Sequence, residues 1–322
     1  MKAYRSGLVV GKFAPLHRGH QRIIEAAHAA CDHVTIMVWS APDFDTMPPP
    51  VRAGWLRALY PDATVVAFDA IEAPPNVAPD AVHHAFVRSR LPRPVDAVFA
   101  AEAYGPAFAA ALGAAYARLD RSGDAVSGSA VRANVHAHAD ALDPRVYAHF
   151  VERVAFLGAE SSGKSTLAQA LAERLGTAYA EEYGRTLWEE RAGEVPLADY
   201  VLISERHRAI EDEAILRARR FLFCDTNAVT TQQYAFFFHG ACPTRVQALA
   251  AECRTRYAHT VVCAPDIPFD QDGTRVHPQV QQYMDGAIRN DLTIRGIPYT
   301  VVGGMLDERV AAVCRALGVE AP

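Results

Sequence analysis

The sequence predicts an α/β fold built as two domains, each a mainly parallel sheet flanked by helices. Three observations carry this expectation. Short β-rich apolar runs alternate with segments of helical spacing. The alternation starts afresh near residue 151. A length of 322 residues accommodates two domains of ordinary size. The composition, 50% hydrophobic and 21% charged, is that of a globular protein with enough apolar material for two cores.

In the first half, Gly7–Val10 is an apolar run that ends in a Gly-containing loop. Residues 19–31 place Ile23, Ile24, Ala27 and Ala30 on one helical face. His33–Trp39 is β-rich, and 40–50 is a Pro-rich loop. A helix over 51–60, a strand over 63–68 and a loop over 73–79 come next. A helix over 80–91, a strand over 95–101 and a helix over 104–113 follow. The second half opens with a strand at Arg153–Leu157, a Gly-rich loop and a helix to Leu175. A short strand over 177–180 and helices within 181–219 precede the apolar strand Phe221–Cys224. A helix over 243–255, the strand His259–Cys263 and a polar loop over 265–276 follow; a helix over 277–295, a strand over 298–302 and a helix over 306–317 end the pattern. The expected domains are 1–150 and 151–322.

Several classes of protein are excluded. No run of 18 apolar residues spans a membrane, and Met1–Val10 is too lightly apolar for a signal peptide. The six Cys form no metal-ligand spacing and read as reduced thiols, so a cytoplasmic location is expected. Residues 1–150 carry 14 basic and 14 acidic side chains, and residues 151–322 carry 18 and 23, so no nucleic-acid partner is expected. Of the 32 basic residues only three are Lys, so an Arg by itself says little; Lys12 and Lys164 both fall in motifs.

Gly158-Ala159-Glu160-Ser161-Ser162-Gly163-Lys164-Ser165 fits GxxxxGK[ST], between a predicted strand and a predicted helix that continues through Thr166. In such a P-loop the backbone N–H groups and the helix N-terminus cradle phosphates. Lys164 then reaches the β- and γ-phosphates of ATP, and Ser165 ligates Mg²⁺. Asp225 ends the next apolar strand. It reads as a carboxylate for Mg²⁺ or for a substrate hydroxyl proton, or as the N-cap of a helix from 227 onward. Glu182 reads equally as a site residue or as a solvated acid at a helix start. In the 265–276 loop, Asp272, Gly273 and Arg275 suit a lid over the phosphates, with Arg275 either a lid arginine or a surface one.

In the first half, Gly11-Lys12-Phe13-Ala14-Pro15-Leu16-His17-Arg18-Gly19-His20 joins the first strand to the first helix. His17 and His20 at a helix start suit phosphate oxygens as charge develops, and Gly11 lets a nucleotide approach the backbone. A metal reading is weaker, because no third ligand stands nearby. Ser127-Gly128-Ser129 opens a second helix, and Arg132 lies one turn into it, within reach of a triphosphate.

Gly11–His20 resembles the GxFxPxHxGH signature of the nucleotidylyltransferase superfamily, and Ser127–Arg132 resembles its later ISxxxxR-type motif. Followed by a P-loop kinase, the chain resembles the bifunctional NadR-type proteins, in which nicotinamide-nucleotide adenylyltransferase is fused to ribosylnicotinamide kinase. Glu182-Tyr183-Gly184-Arg185, Asp225-Thr226-Asn227 with Thr230-Thr231, and Pro268-Phe269 with Asp272, Gly273 and Arg275 agree with it.

The resemblance implies a Rossmann-like nucleotidylyltransferase domain followed by a P-loop kinase domain. The first converts nicotinamide mononucleotide (NMN) and ATP to NAD and pyrophosphate, with Mg²⁺. The second phosphorylates ribosylnicotinamide. It further implies triphosphate binding by His17, His20, Lys12 and Arg132, with Asp225 near the riboside hydroxyl. Glu182, Tyr183, Thr226, Asn227 and Phe269 then hold the riboside. Some family members begin with a helix-turn-helix repressor domain. Here the first strand starts within ten residues, so DNA repression is not expected. The chain has no Trp between 74 and 90, where the family often has one; His83, His84 and Phe86 are the aromatic candidates there. Two other readings remain at this stage: a first domain that senses NAD or ATP and regulates the kinase, or one that adenylylates another phosphate substrate. Homo-oligomerisation is left open.

Overall fold

The computed structural model describes residues 1–40, 44–68, 72–119, 126–267 and 278–321. The chain divides into two compact units, Met1–Tyr147 and Ala148–Pro322.

In the first unit the elements run β1 (Tyr4–Gly11), α1 (Arg18–Ala30), β2 (Cys31–Val38), α2 (Pro49–Leu59), β3 (Thr64–Ala67), α3 (Asp80–Arg90), β4 (Ala97–Ala100), α4 (Gly105–Leu112), β5 (Ala115–Arg118), α5 (Gly128–Ala133) and α6 (Pro144–Tyr147). The strands form one sheet in the order β3-β2-β1-β4-β5, and every pairing is parallel. Parallel strands need crossovers, and the helices between them supply these. The order reverses at β1, so the crevice beyond the C-terminal end of β1 is where such a sheet binds ligands. Ile23, Ile24 and Ala27 form the buried stripe of α1; Ala30, expected on the same face, is half-buried. Helix α1 runs directly into β2, because the Cys31 N–H still caps Ala27 O while its own backbone is already extended.

The second unit runs β6 (Glu152–Leu157), α7 (Lys164–Leu175), β7 (Ala178–Ala180), α8 (Tyr183–Glu190), α9 (Asp199–Ala214), β8 (Phe221–Asp225), α10 (Ala228–His239), α11 (Thr244–Arg256), β9 (His259–Cys263), α12 (Pro278–Ile294), β10 (Thr300–Val302) and α13 (Leu306–Ala316). Its sheet, again all parallel, has the order β10-β9-β6-β8-β7. Strand β6 is central, with β8 on one side and β9 on the other, so the loop after β6 also opens at a reversal of strand order. The core packs Leu167 and Leu171 of α7 and Val310 and Val313 of α13 with Val154, Phe156, Phe223 and Val261 of the sheet.

The expected elements are present with small boundary shifts. Two additions were not anticipated. Strand β5 has the sequence Ala-Tyr-Ala-Arg and lies half-exposed at the sheet edge, so it shows neither an apolar run nor strong β propensity. Helix α6 is a single turn with 3₁₀ turns on either side.

Truncating Leu171→Ala removes a fully buried side chain from the second unit's core. The expected cost is about 2–5 kcal/mol. Urea unfolding followed by circular dichroism should show the second unit's transition moved to lower denaturant.

Candidate active sites

Each unit carries a cavity. In the first unit it encloses about 570 Å³. It is lined by Gly11, Lys12, Phe13, His20, Gly128, Ser129 and Arg132, most of the set expected from the sequence. His17 is buried, and its ring stacks on His20 with centroids 3.8 Å apart. The His17 N–H faces His20 Nδ1 at 3.4 Å, which fixes the second ring at the helix start. Arg132 donates to Ala14 O at 2.6 Å and to Ser129 Oγ at 2.9 Å, joining α5 to the loop after β1. Ser127 caps α5 by accepting from the Ala130 N–H at 3.2 Å and is not among the cavity residues. Burial, and then the nearby Arg132 charge, push the Lys12 ammonium below its ordinary range. An anion in this cavity relieves that repulsion.

For Gly11, expected to let a nucleotide approach the backbone, the structure shows a different constraint. A Cβ there would stand 2.9 Å from the Phe13 ring, so its missing side chain makes room for Phe13. Phe13 itself holds a left-handed backbone, φ 48°.

Aromatic residues of its wall include Trp39, His83, His84, Tyr104 and Phe108. Trp39 meets His83 at 5.3 Å and Phe86 edge-on at 5.9 Å. Phe86 packs behind this wall on Phe68 and does not line the cavity. Of the aromatic candidates between 74 and 90, His83 and His84 line the cavity and Phe86 does not; Trp39, the residue after β2, lines it as well.

Arg52 was not anticipated at all. It is fully buried in α2 and donates to Met47 O, Lys12 O and Trp39 O at 2.6–2.7 Å. One guanidinium therefore ties the loop after β1 to the start of the loop after β2. The ring of Phe44 lies 5.5 Å from Arg52 and 5.1 Å from Arg132, linking the two arginines by cation–π contact.

In the second unit the loop from Gly158 to Gly163 is shaped by left-handed residues: Gly158 at φ 141°, Ser161 at φ 57° and Gly163 at φ 79°. A Cβ on Gly158 would stand 2.7 Å from Cys263 O, so only glycine fits there. Ser162 Oγ and Lys164 Nζ both donate to Ala159 O, at 2.8 and 2.9 Å, inside the loop. Gln281 reaches from α12 to Glu160 O at 2.9 Å. Beneath the loop lies Arg309, 1% exposed. It donates to Ser162 O at 2.7 Å, to Gly304 O at 2.8 Å and to Asp266.

The adjoining cavity, about 320 Å³, is lined by Glu160, Ser161 and Lys164 from the loop, Glu182, Arg185 and Trp188 from the α8 region, Tyr200 and Ile203 of α9, and Thr230, Thr231, Tyr234 and Phe238 of α10. Glu182 faces the site. Burial and the neighbouring Asp225 charge raise its pKa, while Lys164, Arg185 and His207 oppose the rise. Asp225 itself is buried, 2% exposed, and is not among the lining residues. Tyr179 donates to its Oδ2 at 3.1 Å, and burial followed by the Asp225 charge raises the Tyr179 pKa. The helix N-cap is Asn227, which accepts from the Val229 N–H at 2.9 Å; the cap reading of Asp225 is corrected. Tyr183, Thr226 and Asn227 do not line the cavity, whereas Trp188 and Tyr234, not singled out from the sequence, do. Phe269, Asp272, Gly273 and Arg275 lie outside the described residues.

A magnesium ion is implied by the P-loop sequence, and the residues fit it. Ser165 stands in the first turn of α7, and Asp225 Oδ1 is buried with no hydrogen-bond partner among the described residues. Among those residues no group of three His, Cys, Asp or Glu forms a metal cage. Mg²⁺ needs none, since phosphates and water complete its octahedron.

Together these features define a two-unit nucleotide-binding protein, a Rossmann-type unit followed by a P-loop unit. The model for the AAA domain family matches residues 153–309. The chain is 30% identical over 294 residues to the Trifunctional NAD biosynthesis/regulator protein NadR of Escherichia coli strain K12, covering 84% of this chain and 71% of that protein. The same values hold for the protein of that name from Salmonella typhimurium. The chain belongs to the NadR family. Solved structures of NadR protein in complex with NR, and in complex with NAD and AMP-PNP, share its fold with a TM-score of 0.74 each, at 21% and 19% identity. They cover 100% of this chain and 98% and 99% of their own.

Two substitutions test this geometry. Arg52→Met strands buried carbonyls, each worth about 1–3 kcal/mol. Scanning calorimetry should show the first unit's transition lowered and the second unchanged. Gly158→Ala should abolish triphosphate binding by the second unit, read by titration calorimetry, without unfolding it.

Proposed function

We propose that the chain is a bifunctional NAD salvage enzyme. In this reading residues 1–150 form an NMN adenylyltransferase and residues 151–322 a ribosylnicotinamide kinase. The observation that carries it is the presence of two separate cavities, each at the strand-order reversal of its own parallel sheet and each with cationic side chains at a helix start. Membership of the NadR family supports the substrates: relatives are named for NAD biosynthesis, and solved neighbours were captured with NR, NAD and AMP-PNP.

In the first unit the phosphate of NMN attacks the α-phosphorus of ATP. NAD forms and pyrophosphate leaves. His17, His20, Lys12 and Arg132 hold the triphosphate and spread its charge, so the rate comes from positioning and electrostatics with no covalent intermediate. Trp39, with His83 and His84, offers the aromatic surface for the pyridine ring.

In the second unit the 5′-hydroxyl of the riboside attacks the γ-phosphorus of ATP, and ADP leaves. Lys164 steadies the phosphates. Ser165, and Asp225 through water, would hold Mg²⁺, which would supply neutralising charge for the phosphates. The carboxylates at Asp225 and Glu182 supply the acceptor for the hydroxyl proton; Asp225 is our choice. Glu182, with Thr230 and Thr231 of α10, forms the riboside side of the site. Trp188 and Tyr234 give it an aromatic wall.

The first measurement is NAD formation from NMN, ATP and Mg²⁺, with riboside phosphorylation assayed in parallel by chromatography. Protein that makes neither product overturns the proposal. Lys164→Ala should lower the kinase rate by about 10²-fold or more and leave NAD formation intact. His20→Ala should do the reverse by a similar factor. If either change stops both reactions in folded protein, the two-site model fails.

A further inference from the structure

We infer that Tyr179 is a positioning residue of the phosphoryl-transfer site, acting through Asp225: its hydroxyl fixes Oδ2 and leaves Oδ1 as the oxygen that serves the reaction. The inference rests on the kinase reading of the second unit.

The geometry begins with strand register. Tyr179 of β7 pairs with Phe223 of β8. Side chains alternate along a strand, so Asp225, two residues beyond Phe223, shares a face with Tyr179 as its diagonal neighbour. A phenol is long enough to bridge that diagonal, and the Tyr179 hydroxyl lies 3.1 Å from Oδ2. Oδ1 is buried and has no hydrogen-bond partner among the described residues. A buried carboxylate oxygen without a donor is costly, so its persistence points to a partner that arrives with the substrates.

The backbone at Asp225 is already fixed. Asp225 stands in register with Phe156 of β6. The next residue, Thr226, turns the chain in a left-handed conformation, φ 70°, and its N–H donates to Phe156 O at 3.0 Å. Asn227 then caps α10. With the main chain held at both ends, the remaining freedom is rotation of the carboxyl group, which exchanges its two oxygens. The Tyr179 hydroxyl is placed to stop that rotation. The Tyr179 hydroxyl is engaged by Oδ2, so it acts through Asp225. Its ring packs against the second unit's core, a contact that phenylalanine preserves.

The test compares wild type, Tyr179→Phe, Asp225→Asn and the double variant in riboside phosphorylation. Tyr179→Phe should lower kcat about tenfold and leave KM for ATP and riboside within about twofold. AMP-PNP affinity by calorimetry, and NAD formation by the first unit, should stay unchanged. The double variant should be no slower than Asp225→Asn alone, because the hydroxyl has nothing left to position. Should the Phe variant unfold, Tyr179→Met removes the same hydroxyl and permits the same comparison. A kcat within twofold of wild type overturns the inference, as do effects that multiply in the double variant. A wild-type protein with no riboside phosphorylation instead overturns the kinase reading, and this inference with it.

Discussion

A guanidinium sealed from water must find acceptors for its N–H donors inside the protein, and in both units those acceptors include a carbonyl of the loop after the central strand. Arg52 serves the first unit through Lys12 O, Trp39 O and Met47 O. Arg309 serves the second through Ser162 O and Gly304 O, with Asp266 alongside. A loop that turns its N–H groups toward an anion leaves its carbonyls facing inward. Without donors beneath, those carbonyls are buried and unpaired, and the loop pays the full desolvation penalty. The buried arginine thus satisfies the inward carbonyls of each loop, and the shape of each loop depends on it.

The two sheets place these loops in equivalent positions by different strand orders. Each loop follows the central strand, which has a later strand of its unit paired on either side. The cationic equipment then differs. The first unit stacks two imidazoles and brings one arginine from a distant helix. The second folds a lysine back into its own loop. These are different answers to one requirement, that negative charge be met by groups already in place.

What was legible in the sequence was local. The P-loop and the Gly11–His20 string could be read because a loop of fixed length must place each residue in a defined role. The alternation of strands and helices was legible for the same reason. Residues whose role depends on distant partners were not. Arg52 and Arg309 are two arginines among many, and nothing near them in the chain shows which carbonyls they will meet. Trp39 ends a strand that the pattern revealed, yet only the placement of β2 beside β1 turns its ring into the cavity. Tyr179 needs the register of β7 on β8. Asn227 took the capping role that the spacing also allowed to Asp225, because the strand runs one residue further than its apolar run.

The distribution of tryptophan has an optical consequence. Of the three in the chain, Trp39 lines one cavity and Trp188 the other, while Trp55 is buried in α2. Each cavity therefore contains its own native indole fluorophore. Replacing the other two indoles in turn would leave an emission signal that reports occupancy of a single cavity in the intact chain, with no external dye.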